Sequence, residues 1–170
     1  NYTEAATTVP LLLYLHNSIV LCTFSVIGAV ASSALIAYGF ARLRWPGRDV
    51  LFLLMVATML LPFHVTMVPR FVLIRSLGLY DSFAALILPT FLGEAFYIFL
   101  LRQFFLTIPE ELSEAARLDG CSEWGVFWRI VLPLSRPALA TVALFQLLTT
   151  WNDFAGPLLY LSDPNKYPLA

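Results

Sequence analysis

Four long apolar runs dominate this chain, at about residues 11–41, 50–67, 83–105 and 137–154, and each is close to the roughly 18 to 25 residues that a helix needs to cross a bilayer. The first is longer than a bilayer requires, so it is expected to tilt, or to begin as an interfacial turn around His16, Asn17 and Ser18. With 59% hydrophobic and only 12% charged residues, and a mean hydropathy of +0.79, the chain is far more apolar than soluble domains, where about a quarter of residues are charged. The expected class is an all-α integral membrane protein, one polytopic helix bundle over 1–170.

Charge placement orients the runs. The connection after the first run carries Arg42, Arg44 and Arg48, and the one between the third and fourth carries Arg102, Arg117, Arg129 and Arg136. By the positive-inside rule both face the cytoplasm. The connection over 69–82 holds Arg70 and Arg75 beside Asp81, a weaker basic load that fits the outer side, and both ends of the sequence then lie outside. The start without methionine in a polar stretch, and the stop at Tyr167-Pro168-Leu169-Ala170, read as a fragment with no signal peptide. A net charge of −1 without blocks of one sign gives no reason to expect a nucleic-acid partner. Cys22 and Cys121 are too far apart in depth for a disulfide or metal site to be expected.

Within the first run Ser25, Ala29, Ser33, Ala37 and Ala41 recur every four residues, placing small side chains on one helix face. Such a face permits close helix approach, and packing inside the bundle is favoured over a subunit interface. Pro62 and Pro89 are expected to kink the second and third spans.

Between the third and fourth runs lies a polar island over 107–133, too charged to span a bilayer. Thr107-Ile108-Pro109-Glu110 has the form of a capping box, which predicts a helix start. Glu110, Glu111 and Glu114 suit the positive end of its dipole, and Gly120 suits a left-handed stop. Ser122 can cap a second helix running through Trp124, Phe127 and Trp128 to Pro133. The first helix carries Leu112, Ala115, Ala116 and Leu118 among charges, and the two alanines are expected to form a shallow patch for a partner groove. Pattern alone leaves two readings open: a docking surface, or an amphipathic hairpin on the membrane with Trp124 and Trp128 as interfacial anchors.

The run Glu114-Ala115-Ala116, two residues, Asp119-Gly120, nine residues, Ile130, one residue, Leu132-Pro133 resembles the EAA motif in permease subunits of binding-protein-dependent ABC importers, with Cys121 where alanine is usual. Residues 38–48, Phe99-Leu100-Leu101-Arg102-Gln103-Phe104-Phe105, Thr107-Ile108-Pro109-Glu110-Glu111-Leu112 and Trp151-Asn152-Asp153-Phe154 are similar to the maltose-type, carbohydrate-importing branch, in its second permease subunit. The resemblance implies a type I importer permease fold with six spans, of which the first and last are missing here. It implies a multi-pass protein of a bacterial or archaeal inner membrane, without catalytic residues of its own. Its partners would be a second permease subunit in a heterodimer, two ATPase subunits and an extracytoplasmic sugar-binding protein. This chain would bind no cofactor, ATP and Mg²⁺ being used by the ATPase. Glu114, Ala115, Ala116, Asp119 and Gly120 would form the joint with the ATPase, and Ile130, Leu132 and Pro133 would pack the second helix against the span ends.

For the solute path the candidates are Glu94, Tyr97 and Asn152. Glu94 is the one acidic residue well inside a span, and an ionisable group at that depth is expensive unless it faces water or a partner. It could accept hydrogen bonds from sugar hydroxyls, or sit protonated or paired at a subunit contact. His64 reads as a packing residue, and Asn152 with Asp153 either as a local cap or as part of the path. A stand-alone secondary transporter or channel using Glu94 is the rival, but it leaves the island unexplained. No metal spacing, phosphate loop or nucleophile constellation supports a membrane enzyme.

Overall fold

The computed structural model describes residues 10–169, with no strand among the described residues. The first apolar run is one unbroken helix, α1 (Leu11–Ala41). At 1.5 Å per residue its 31 residues extend about 46 Å, well past a hydrocarbon core of about 30 Å.

The second expected span is not a single helix over 50–67. Helix α2 (Arg48–Ala57) tightens into a 3-10 turn over Thr58–Leu60, and after Leu61 and Pro62 the chain turns by 105° into α3 (Phe63–Ser76). Proline lacks a donor and drives the residue before it out of helical geometry, and Leu61 accordingly has ψ of 118°. The connection expected over 69–82 is therefore largely helix, with Pro69 inside α3.

In the third run α4 (Phe83–Ile87) continues as a 3-10 turn over Leu88–Leu92. The interruption falls beyond Pro89, at Gly93 and Glu94, before α5 (Ala95–Thr107). Pro89 stands at the start of the 3-10 turn, where its missing donor has little cost.

The island forms α6 (Glu110–Leu118) and α7 (Glu123–Val126), which runs on through a π turn over Phe127–Val131 into α8 (Leu132–Leu134). A bend of 77° follows before α9 (Arg136–Trp151), then α10 (Ala155–Tyr160) and a 3-10 turn over Pro164–Lys166. By length and apolar composition α1 and Phe83–Thr107 each qualify to cross a bilayer, and the two bent pairs qualify only when each pair is taken as one span.

The small-residue face of α1 carries the packing. Ser25, Ala29, Ser33, Ala37 and Ala41 are all buried within this chain, where α5 and α9 lie against the helix. The resulting core joins Ala29, Ala37 and Tyr38 to Tyr97, Leu101 and Phe105 of α5, to Val126, Phe127 and Val131 of the island, and to Val142 of α9. At Gly28 the approach is closest. A Cβ there would fall 2.6 Å from Thr90 Oγ1, against the Phe91 ring, whereas one at Gly39 would meet open space. Ser32 reinforces this crossing by donating to the Gly28 and Thr90 carbonyls at 2.7 and 3.1 Å.

At the opposite end from Arg42, Asp81 clasps the C-terminal segment. Its amide donates to Tyr160 O, its Oδ1 accepts from the Ser162 and Asp163 amides, and Lys166 Nζ reaches Oδ2 at 2.8 Å and the Asp81 carbonyl at 2.7 Å. The φ of 57° at Asp81, uncommon outside glycine, is held by these bonds. Asn17 Nδ2 donates to the Asn165 and Tyr167 carbonyls, and Ser18 Oγ accepts from the Leu169 amide, so the same segment is tied across the start of α1.

Gly28→Leu is expected to lower the melting temperature in detergent and the yield of folded protein, while Gly39→Ala leaves both near wild type; thermal unfolding of the purified variants checks this. The Lys166 hydrogen bond, with those from the Ser162 and Asp163 amides, holds the Asp81 carboxyl below the usual carboxylate range. Because the fold favours the ionised form, the clasp is at full strength above the ordinary aspartate pKa of about 3.9 and is lost as pH falls below it. Asp81→Asn should therefore lower stability at pH 7 and flatten its decline between about pH 5 and pH 2, measured by unfolding against pH.

Candidate functional site

The island begins differently from the expected capping box. Helix α5 persists through Thr107, whose hydroxyl donates back to the Phe104 carbonyl at 2.7 Å, and α6 starts after Pro109 with no side-chain cap. A threonine still inside the preceding helix is not free to cap the next one. Glu110 and Glu111 occupy the first turn of α6 and Arg117 the last, each at the favourable end of the dipole. The stop is where the sequence places it. Gly120 has φ of 82°, its amide bonds to Arg117 O, and the Cys121 amide bonds to Ala116 O, the paired closure of a Schellman motif. Ser122 then caps α7, accepting from the Gly125 amide at 3.2 Å.

The two alanines of the expected patch part company. Ala115 is exposed, whereas Ala116 packs on the core and Ser113 beside it is fully buried. Neighbours on a helix point about 100° apart, so one narrow face cannot hold both. The outward face instead presents Glu111, Leu112, Glu114, Ala115, Asp119, Gly120 and Leu118, the last 89% exposed. In the second helix Ile130 and Leu132 are half-buried and Pro133 is exposed. Pro133 is thus not among the island residues buried in the core of the described residues; Val126, Phe127 and Val131 are. The π turn takes an extra residue per turn just before Pro133, which shifts the buried face.

Polar ties fasten this end of the molecule. Arg42 Nη2 donates to the Phe105 and Ile108 carbonyls at 2.7 and 2.5 Å, closing the end of α5, and the Arg102 guanidinium lies 4.0 Å from the Phe52 ring centre. The Glu123 carboxylate accepts from the Tyr38 hydroxyl at 2.7 Å and from Arg117 Nε at 2.7 Å. The Arg117 bond holds the Glu123 carboxyl below its ordinary range and in turn reinforces the arginine's charge. The sequence pattern marks Arg42 only as a topological charge, because its carbonyl partners lie 63 and 66 residues along the chain; Arg117 meets its carboxylate six residues on, across the Gly120 elbow.

Toward the Asp81 end, a cavity of about 180 Å³ opens between α1, α4, α9 and α10, large enough to hold water. Ser25, Arg70, Glu94, Gln146, Thr149, Thr150 and Asp153 line it, with Tyr160, whose buried hydroxyl has no hydrogen-bond partner among the described residues. Glu94 thus faces a polar space. Tyr97 is buried outside it. Asn152 does not line it either: its amide donates to Leu148 O and ends α9, while Asp153 accepts from the Gly156 amide to open α10 and also faces the cavity. The spacing of Gln146, Thr149 and Thr150, three and four apart in an apolar helix, is the signal that could have found this lining. Among the described residues no cluster of His, Cys, Asp and Glu is placed to hold a metal.

With Cys22 and Cys121 replaced by serine, Glu94→Cys is expected to react with a water-soluble maleimide, and Val142→Cys, in the apolar core, to resist it. Labelling at position 94 as slow as at the buried position 142 would mean that the cavity is not open to water.

Residues 25–169 match the family described as binding-protein-dependent transport system inner membrane component. The polygalacturonan/rhamnogalacturonan transport system permease protein YtcP of Bacillus subtilis is 45% identical over 159 residues, covering 91% of this chain and 54% of that protein. The arabinooligosaccharides transport system permease protein AraQ of the same organism is 37% identical, covering 92% of this chain and 55% of its own length. The sn-glycerol-3-phosphate transport system permease protein UgpE of Yersinia enterocolitica is 40% identical, with 91% and 54% covered. The chain spans about half the length of these curated relatives. A crystal structure of a bacterial ABC transporter involved in the import of the acidic polysaccharide alginate superposes with a TM-score of 0.90 at 31% identity, over 99% of this chain and 59% of that one.

Proposed function

This chain belongs to the family of binding-protein-dependent transport system inner membrane components, as a permease of the carbohydrate ABC importer type, and from that premise we propose that it forms half of a sugar translocation path and receives the stroke of a separate ATPase through α6. The family is one of membrane transport permeases rather than enzymes. The chain has the type I permease fold.

The observation that carries the coupling role is the outward face of α6. Glu111, Glu114, Ala115, Leu118 and Asp119 stand exposed at the arginine-rich end while Ser113 and Ala116 anchor the opposite face in the core. A helix held on one side by packing and bare on the other, carrying both carboxylates and an exposed leucine, suits a cleft in a partner with basic and apolar walls. In the assembly we propose, that partner is one of two ATPase subunits, which bind and hydrolyse ATP with Mg²⁺. A second, different permease completes the path, and an extracytoplasmic binding protein delivers the sugar. The chain is multi-pass in a bacterial or archaeal inner membrane, with the island in the cytoplasm. Glu94 and the polar cavity are its share of the path, where two carboxylates, a glutamine and threonine hydroxyls suit a hydroxylated solute.

The test is purification of the full-length protein from its native membranes, beside Gly120→Trp. Space at Gly120 is open, but its φ of 82° strains any other residue, so the variant should distort the elbow while the bundle stays folded. Wild type is expected to retain an ATPase that the variant loses or binds at least about tenfold more weakly, a loss of the order of 1.4 kcal/mol. A wild-type protein that transports with no ATPase would instead favour a stand-alone transporter working through Glu94.

A further inference from the structure

The Glu123 carboxylate touches three elements at once. Its Oε2 accepts from the Tyr38 hydroxyl in the last turn of α1, its Oε1 accepts from Arg117 Nε at the end of α6, and its own backbone begins α7. Among the described residues, the one other hydrogen bond between α1 and the island comes from the same Tyr38 hydroxyl, to the Glu123 carbonyl at 3.4 Å. Tyr38 is 4% exposed and its ring lies 5.0 Å from that of Phe127, so the hydroxyl is presented from a fixed position in the core. Arg117 and Glu123 face each other across the Gly120 elbow, an arginine at a helix C-terminus and a glutamate at a helix N-terminus, each where the dipole favours its charge.

The elbow does not need this contact in order to close. The Gly120 and Cys121 amides and the Ser122 cap already satisfy its backbone. With side chains 33% and 45% exposed, the Arg117–Glu123 pair adds little to stability. What it adds is direction: α6 cannot rotate about the elbow without pulling on Tyr38, and so on the end of α1, whose middle lines the cavity at Ser25. We propose that Tyr38, Glu123 and Arg117 are positioning residues, a strut that carries displacement of α6 into α1 and on to the cavity. This rests on the importer reading above and adds to it the connection inside this subunit.

The strut is tested in the whole transporter, reconstituted in vesicles, with Glu94→Cys as the reporter and the native cysteines of this chain replaced. The probe is ATP with Mg²⁺ on the ATPase side and a membrane-impermeant maleimide on the other. With the strut intact, nucleotide should change the labelling rate at position 94. Tyr38→Phe and Glu123→Gln are each expected to reduce that change about threefold to tenfold, with the ATPase still bound and hydrolysing. The exchange Arg117→Glu with Glu123→Arg should recover more of it than Arg117→Glu alone. A full response in Tyr38→Phe and Glu123→Gln overturns the strut, and so does loss of the ATPase from Tyr38→Phe, because the contact then serves docking. A wild-type complex that contains no ATPase overturns the importer reading itself.

Discussion

Close approach at one face of α1 is the interaction on which the rest of the structure depends. Lipid chains are as apolar as leucine, so helices in a bilayer gain little by hiding hydrophobic surface from each other and associate through contact and hydrogen bonding. Ser25, Ala29, Ser33 and Ala37 let α5 and α9 come against the α1 backbone, and large residues such as Leu101 and Phe105 fill the space their small size leaves. Phe24, Ile27 and Leu35 of α1 point outward, while Leu21 and Tyr38 are buried with the small residues. The helix is therefore built as a spine whose small residues admit its neighbours and whose few large buried ones fill the space at either side.

Interruptions in the other helices sit where this spine can answer for them. Backbone groups released by a break need partners at membrane depth. The amide of Glu94 finds Ser33 Oγ at 3.4 Å, and the Thr90 carbonyl finds Ser32 Oγ. The same break at Gly93 and Glu94 turns a carboxylate toward the polar cavity instead of into the apolar core. Serines of α1 thus serve both close packing and the irregular backbone beside the candidate path. At the arginine-rich end, arginines also tie helix ends: Arg42 binds the last carbonyls of α5, and Arg117 binds the carboxylate that begins α7.

The length of α1 connects the two regions. A helix of 31 residues outlasts the hydrocarbon thickness, and its last turn brings Tyr38 to the polar island while its middle borders the cavity. A long rigid element with one polar contact at its end and a polar wall farther along is suited to moving as a unit. The π turn before Pro133 and the 77° bend at Ser135 divide the island from α9, so on that side the connection is jointed rather than straight.

The amino-acid sequence by itself determined the helical class, the arginine-rich end, the range of α1, the Gly120 stop and the Ser122 cap. Each of these is local, set by run length, by a residue's own φ preference or by a side chain within three positions of the amide it satisfies. Tertiary structure decided what depends on neighbours remote in the chain. It turned Ala116 inward and Ala115 outward, took Thr107 into α5 instead of a capping box, moved the third-span break from Pro89 to Gly93, and put Asp153 rather than Asn152 on the cavity. It also brought Tyr38 to Glu123, 85 residues away. No periodicity carries that pairing, because it exists only once the small face of α1 has chosen which helices lie beside it.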